Sequence, residues 1–467
     1  GEIIWRKNSA GLKVSSKQFE LRNIDFKSNT NIELSFLTKL NSPYLDIESS
    51  WSIENITAIK RLVPENKMNP ALYQWMQESI QSGRVTNGKA RIIGSVENFP
   101  FSDRNGIFQI NAQIKDLLLR YAMDWPETNI QDMHLTFDRN QIYSYKNNLL
   151  SNKLELSDAS IEIKDIFNPK LQIQANSTAK LGALHNFMMA SPIDTFFGKK
   201  LKNIKLVGVA DYQFDIHLPL RSAQRKNYNF TTQIKPKNAR LSVTWIAPAI
   251  ENLNGIINIS RNDASSEYLN AQFIGKPVLI SLTKATEDRE FMSSIISMEG
   301  VTSINAIERD FEYKFNDSLA GENIKYQLSL NIPRYDLPQP KPFFLNIKSD
   351  LKQAVINLPY PFSGEIKGIR QLDMNLLFPS EDSIHLDGQL YSDIRWDIYF
   401  KKNNDSWAFN RGTVFLGDGP IMPLDSRGLH IRGNTDWIQF DDWMKFTRVC
   451  SRPRETVSWA LISTASA

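Results

Sequence analysis

Strict alternation of apolar and polar residues limits this chain more than any other feature. In Ile324-Lys-Tyr-Gln-Leu-Ser-Leu-Asn-Ile332, one phase is Ile324, Tyr326, Leu328, Leu330 and Ile332, and the other is Lys325, Gln327, Ser329 and Asn331. Successive side chains point to opposite faces of a strand, so such a run makes one dry face and one wet one. The pattern returns throughout. Phe108, Ile110, Ala112 and Ile114 alternate with Gln109, Asn111 and Gln113. Tyr212, Phe214, Ile216 and Leu218 alternate with Gln213, Asp215 and His217. Leu241, Val243 and Trp245 alternate with Ser242 and Thr244. Ile384, Leu386 and Leu390 follow, then Ile394, Trp396, Ile398 and Phe400. Leu154 and Leu156, then Ile161 and Ile163, read as two short strands around Ser157-Asp158.

These runs come in series with few helices between them, and no strand–helix–strand rhythm appears. The expected fold is mainly β: a long, curled antiparallel sheet with one apolar face, forming a groove, and a few short amphipathic helices. Such a sheet must close, pair with a second sheet or curl around something apolar.

Two stretches change period. Asn69 suits an N-cap and Pro70 the first helical position; Leu72, Trp75, Met76 and Ile80 then share a stripe, and Gly83 is a plausible stop. A helix over 69–83 is too short to stand alone, so that stripe is expected to dock on the sheet. Residues 181–198 read as a two-part helix. Leu181, Leu184, Phe187 and Met188 lie on one side, then Ser191-Pro192 restarts it with Ile193, Phe196 and Phe197, before Gly198. Residues 1–64 read as strands continuing an upstream sheet, 65–445 as the main β region, and 446–467 as an irregular tail.

The chemistry of a catalyst is hard to find. Cys450 is the single cysteine, which excludes a disulfide framework within the chain. A net charge of +4, with no basic stripe, argues against nucleic acid. His134, His185, His217, His385 and His430 are scattered and match no ligand or nucleophile spacing; His217 and His385 fall on wet strand faces and read as solvated. Gly417-Asp-Gly-Pro420 reads as a turn, and Asp441-Asp442 and Glu381-Asp382 as solvated pairs. No cofactor is implied. No run of about 18 apolar residues is present to cross a membrane as a helix. The chain starts at Gly1 within a strand-like phrase, and a targeting or anchoring segment is expected upstream. The aromatic residues on apolar strand phases could be an ordinary core or the wall of a lipid-contacting groove, and composition favours the core.

A set of phrases shifts that balance. They are Met68-Asn-Pro-Ala-Leu-Tyr-Gln-Trp-Met76, Gly94-Ser-Val-Glu-Asn-Phe-Pro-Phe101, Gly106-Ile-Phe-Gln-Ile110 and Tyr121-Ala-Met-Asp-Trp-Pro126. Leu358-Pro-Tyr-Pro361, Gly428-Leu-His-Ile-Arg-Gly433 and Phe440-Asp-Asp-Trp443 continue the series. In this order they resemble the central region of the AsmA-like proteins of Gram-negative bacteria, related to the TamB-like proteins. The resemblance implies a periplasmic β-groove that carries phospholipid between inner and outer membranes without enzymatic chemistry. Its implied partners are phospholipid acyl chains, the inner membrane through an upstream anchor, and outer-membrane or envelope proteins. Groove-lining candidates are then Phe108, Ile110, Ala112, Ile114, Tyr212, Phe214, Ile216, Leu218, Leu241, Val243, Trp245, Tyr326, Leu328, Leu330, Ile394, Trp396 and Ile398. Leu72, Trp75, Met76 and Ile80 form the helix docking face. The alternative is a structural or assembly factor for outer-membrane biogenesis that acts by protein contacts.

Overall fold

The structure is a computed structural model. It describes residues 2–444 apart from positions 39–41, 63–67, 197–200, 222–223, 225–226, 244–245, 262, 286–291, 313, 316–317, 334–336, 338–341, 343, 361, 363–370, 381, 392, 404–405, 418–425 and 436–440. Trp245, the end of the 181–198 stretch and the 446–467 tail therefore lie outside the described residues. The mainly-β architecture expected from the alternation is the observed one. Among the described residues, 24 strands belong by hydrogen bonding to one mixed sheet and two more form a separate pair. The chain divides into two compact units. The first is Gly1–Lys202 with Val207–Lys235 and Asn258–Arg261; the second is Asn203–Leu206, Pro236–Ile257 and Asn262–Ala467.

The first unit holds β1 (Glu2–Asn8), β2 (Gly11–Arg22), β3 (Phe26–Leu37), β4 (Tyr44–Ile53), β5 (Ile80–Ser95) and β6 (Ile107–Leu119). It continues with β7 (Thr128–Asp138), β8 (Gln141–Ser151), β9 (Leu154–Ile163), β10 (Lys170–Lys180) and most of β11 (Ile204–Pro219). Each strand pairs antiparallel with the next. Directly paired residues share a face, so register turns the alternation into rows that cross the strands. One such row runs Ala90, Ile110, Phe137, Ile142, Ile163, Leu171, Leu218.

Two expectations change here. The phrases around Ser157-Asp158 are a single strand, β9: Asp158 takes a positive φ of 50°, and the register with β10 shifts between Gln174 and Asn176. A bulge absorbs the extra residue without ending the strand. The first long helix, α2 (Pro70–Ser79, after the single turn α1, Ile59–Leu62), also stops short of Gly83. Ile80 already pairs with Leu119, and Gly83, at φ 141°, bends the strand where a Cβ would come within 3.1 Å of Leu117 Cα. Ile80 thus belongs to β5, because ladder pairing outweighs a marginal last helical turn.

The start of α2 follows its sequence. Asn69 Oδ1 accepts from Ala71 N at 2.9 Å and from Leu72 N at 3.4 Å, while its Nδ2 donates to Phe167 O at 2.9 Å. Asn69→Ala should cost about 1 kcal/mol as a lost cap. Asn69→Asp keeps the cap but loses the donor to Phe167. Urea unfolding of both variants separates the two contributions, and equal losses would mean the cap itself contributes nothing.

The second helical stretch is split, as α3 (Leu181–Met189) and α4 (Ile193–Phe196). Ser191 Oγ accepts from Ile193 N at 3.3 Å and donates to Met188 O at 2.9 Å, restarting one helix while closing the other.

The second unit takes the end of β12 (Asn229–Val243), β13 (Ile246–Gly255), β15 (Asp263–Phe273), β16 (Lys276–Lys284), β17 (Met292–Thr302) and β19 (Ile324–Pro333). The short β14 (Ile257–Ser260) lies mainly with the first unit. The second unit continues with β20 (Phe344–Ser349), β22 (Leu372–Ser380), β23 (Ser383–Leu390), β24 (Ile394–Asn403), β25 (Ser406–Leu416) and β26 (Gly428–Gly433). From β12 to β25 these pair antiparallel. The last pair, β25–β26, is parallel, so the sheet is mixed and not purely antiparallel as the alternation suggested. Alternation fixes faces and carries no information on strand direction. Beside the sheet, β18 (Leu319–Gly321) pairs with β21 (Ala354–Ile356), next to α5 (Ile304–Asp310).

Candidate functional site

In the second unit, register assembles two apolar rows on one face. One is Leu282, Ile296, Leu330, Leu345, Leu376, Leu386, Ile398, Gly412, Leu429. The other is Ile280, Met298, Leu328, Ile347, Met374, Gly388, Trp396, Val414, Ile431. Ile280 and Met298 are buried, but from β19 to β24 the side chains of both rows are only half-buried. One flank is closed. Ile324 packs with Ile304 of α5 and Ala354 of β21, and farther along Tyr391, Ile394 and Leu416 form a buried cluster. What remains is a wall of aliphatic side chains with solvent on it.

The opposite face is polar in the same register. Ser329, Asn346, Asn375, Asp387, Asp397 and Thr413 lie side by side on successive strands. Asn346 Nδ2 donates to Asn375 Oδ1 and Asn375 Nδ2 to Asp387 Oδ1, each at 2.8 Å. His385 is not the solvated side chain its wet-face position suggests. Its Nε2 meets Asp397 Oδ2 at 2.9 Å, and its ring stacks on Tyr399 at 4.3 Å between centroids, with the Arg411 guanidinium 4.2 Å from the Tyr399 centroid. Stacking across strands removes the ring from water without removing its polar partner.

In the first unit the equivalent face is mostly covered. Phe108, Ala112, Ile114, Tyr212, Phe214, Ile216 and Leu218 are buried, while Ile110 is half-buried. Over Phe214 and Ile216 the cover includes α3, whose Phe187 ring lies 6.0 Å from that of Trp125, and Trp125 stands edge-on to Tyr228 at 5.8 Å. Between them and the sheet remains a cavity of about 20 Å³ lined by Leu184, Phe187, Phe214, Ile216 and Phe230 among others, room for about one water. Leu72 and Met76 of α2 are buried, and Trp75 Nε1 donates to Tyr121 O at 2.8 Å.

Polar atoms break these surfaces in places, among them Ser266 Oγ, whose residue pairs directly with Leu282. Tyr212 Oη, Tyr326 Oη and Trp396 Nε1 are buried without hydrogen-bond partners among the described residues. Burial pushes the Tyr326 phenol up to about 12 and raises that of Tyr212 as well. Leu241 and Val243 are half-buried. Among the described residues, no cluster of His, Cys, Asp and Glu could hold a metal ion, and no helix is long and apolar enough to cross a membrane. Among the described residues, the arrangement offers an extended apolar surface and no converging set of reactive groups. The role of Phe187 and Trp125 in covering a face, and the polar ladder behind the wall, had no local signal in the sequence. Both depend on which strands meet.

Comparison with known proteins fits this surface into a wider group. The profile of the family described as YhdP protein matches residues 1–460. The intermembrane phospholipid transporter YhdP of Escherichia coli (strain K12) is 23% identical over 437 residues, covering 91% of this chain and 32% of the relative. The chain thus spans about a third of the length of that relative. No solved structure matches it. With the family profile running along nearly its whole length, the chain belongs to the YhdP family.

Proposed function

We propose that this chain carries phospholipid, with acyl chains lying along the half-buried wall of β19–β25, as one stretch of a longer protein working between two membranes. The observation that carries this reading is the pair of aliphatic rows left open to solvent and backed by a hydrogen-bonded polar face. A methylene leaving water gains ~0.8 kcal/mol, so a tail on this wall avoids water at every strand it crosses. Neighbouring strands lie ~4.8 Å apart, which gives the six strands from β19 to β25 a length of roughly 24 Å. A single leaflet's hydrocarbon is about half of a ~30 Å core, so the wall is long enough for a whole acyl chain. Movement along it makes and breaks no covalent bond, so the activity is transport without catalysis. That the relative is an intermembrane phospholipid transporter supports phospholipid as the cargo. The setting is the periplasm, with membrane attachment supplied by other parts of the longer protein.

The covered face of the first unit divides the candidate residues. Tyr326, Leu328, Leu330, Trp396 and Ile398 would touch lipid directly. Tyr212, Phe214, Ile216 and Leu218 would do so only if α3 moved, and the α2 stripe serves as packing for a plug.

The test is extraction and mass spectrometry of lipid that copurifies with the chain, together with photo-labelling by a diazirine-acyl phospholipid. Bound phospholipid and label on peptides from β19–β25 are expected. A lipid-free protein whose label avoids those strands would overturn the reading in favour of an assembly factor that acts by protein contacts.

A further inference from the structure

Three large aromatic side chains on the apolar faces share one unusual neighbour. Trp51 on β4 pairs directly with Gly88 on β5, Tyr326 on β19 with Gly300 on β17, and Trp396 on β24 with Gly388 on β23. In each pair the ring fills the space the glycine leaves. A Cβ at Gly88 would lie 2.3 Å from Trp51 Cδ2, one at Gly300 2.8 Å from Tyr326 Oη, and one at Gly388 2.8 Å from Trp396 Cζ2. Side chains on a sheet ordinarily stand roughly perpendicular to it. These rings instead lie down across the neighbouring strand, as aromatic side chains do over a cross-strand glycine.

Two of the pairs show what lying down entails. Tyr326 Oη and Trp396 Nε1 are buried with no hydrogen-bond partner, although an upright ring on a half-open wall would leave them in water. A polar atom placed there gives up hydration, which sheet packing alone does not require. All three aromatic residues are half-buried, and Tyr326 and Trp396 stand in the half-buried wall of the second unit.

We infer that the aromatic–glycine pairs are shallow seats for a linear acyl chain, in which the glycine lowers the ring so that the floor stays flat. This deepens the lipid-carrying reading and rests on it. The ligand is the hydrocarbon tail and not the headgroup, because at Tyr326 and Trp396 the polar atom of the ring is tucked away from the surface. A Cβ at the glycine would lift the ring into the path of the tail.

The test uses the full 467-residue chain and phosphatidylethanolamine–phosphatidylglycerol vesicles doped with a diazirine-acyl phosphatidylethanolamine. Gly300→Ala and Gly88→Ala suit it because their predicted clashes are with side-chain atoms only, whereas Gly388 also crowds Asp373 O at 2.6 Å. Each single variant should lose labelling near its seat by at least about fourfold, the equivalent of one methylene's contact. Removing the ring as well, in Gly88→Ala with Trp51→Ala and in Gly300→Ala with Tyr326→Ala and Val278→Ala (a Cβ at Gly300 also meets Val278 Cγ1 at 2.8 Å), should restore labelling close to wild type. Wild-type labelling in the single variants, or combined variants as poor as the singles, would overturn the inference while leaving the lipid-carrying reading intact. A wild-type wall that takes no label would defeat both. Circular dichroism checks folding. If one glycine variant is unfolded, the other pair decides. If both are unfolded, the glycines serve the sheet and the inference fails.

Discussion

Leu330→Asp should leave the protein folded and, on the lipid-carrying reading proposed above, nearly abolish phospholipid binding. Leu330 is half-buried in the middle of an apolar row, between Ile296 and Leu345. In the lipid-free protein a carboxylate there reaches water, so the folding cost is that of a strand substitution, about 1 kcal/mol. Under an acyl chain the same carboxylate faces hydrocarbon, where an Asp costs about 3 kcal/mol. That is roughly a factor of 100 in affinity. Copurified lipid and acyl-probe labelling should both collapse, while urea unfolding changes little. Leu330→Asn, polar but uncharged, should fall between. A Leu330→Asp protein that binds phospholipid like wild type would remove the wall from the mechanism.

The opposite outcome is expected at Phe187. This residue of α3 is 3% exposed and packs against Trp125 over the small cavity of the first unit. Phe187→Ala should cost 3–5 kcal/mol, roughly the range for truncating a buried phenylalanine. Urea unfolding should show the transition of that unit moving to lower denaturant, and amide exchange should rise first in α3. Acyl labelling of β19–β25 should stay unchanged. A loss below about 1 kcal/mol would mean that α3 only leans on the sheet. The two substitutions thus separate an apolar surface that holds the protein together from one left free to hold something else.

Strands were the legible part of the sequence because a period of two is a local signal. Ile324 to Ile332 and Tyr212 to Leu218 announce their two faces within a few residues, and both are strands with those faces. What covers a face is not local. Leu218 and Leu330 sit in indistinguishable patterns, yet one is 4% exposed under the first unit's cover and the other stands half-open. Boundaries fail for the same reason: Ile80 looked helical by spacing, and its pairing with Leu119 made it a strand. His385 shows the limit on the polar side. Its wet-face position was readable, whereas the Tyr399 ring that shelters it lies on the next strand.

The polar ladder behind the wall also acts as a proofreader. Asn346, Asn375 and Asp387 bond to one another only when three strands align residue for residue. A slip of one position would set Asn375 opposite Leu386 or Gly388 and send a run of leucines to the wrong side. Each amide on the polar face therefore checks the alignment of an aliphatic row it never touches. Damage to that surface would first appear on the other side of the sheet, as misalignment of the apolar rows.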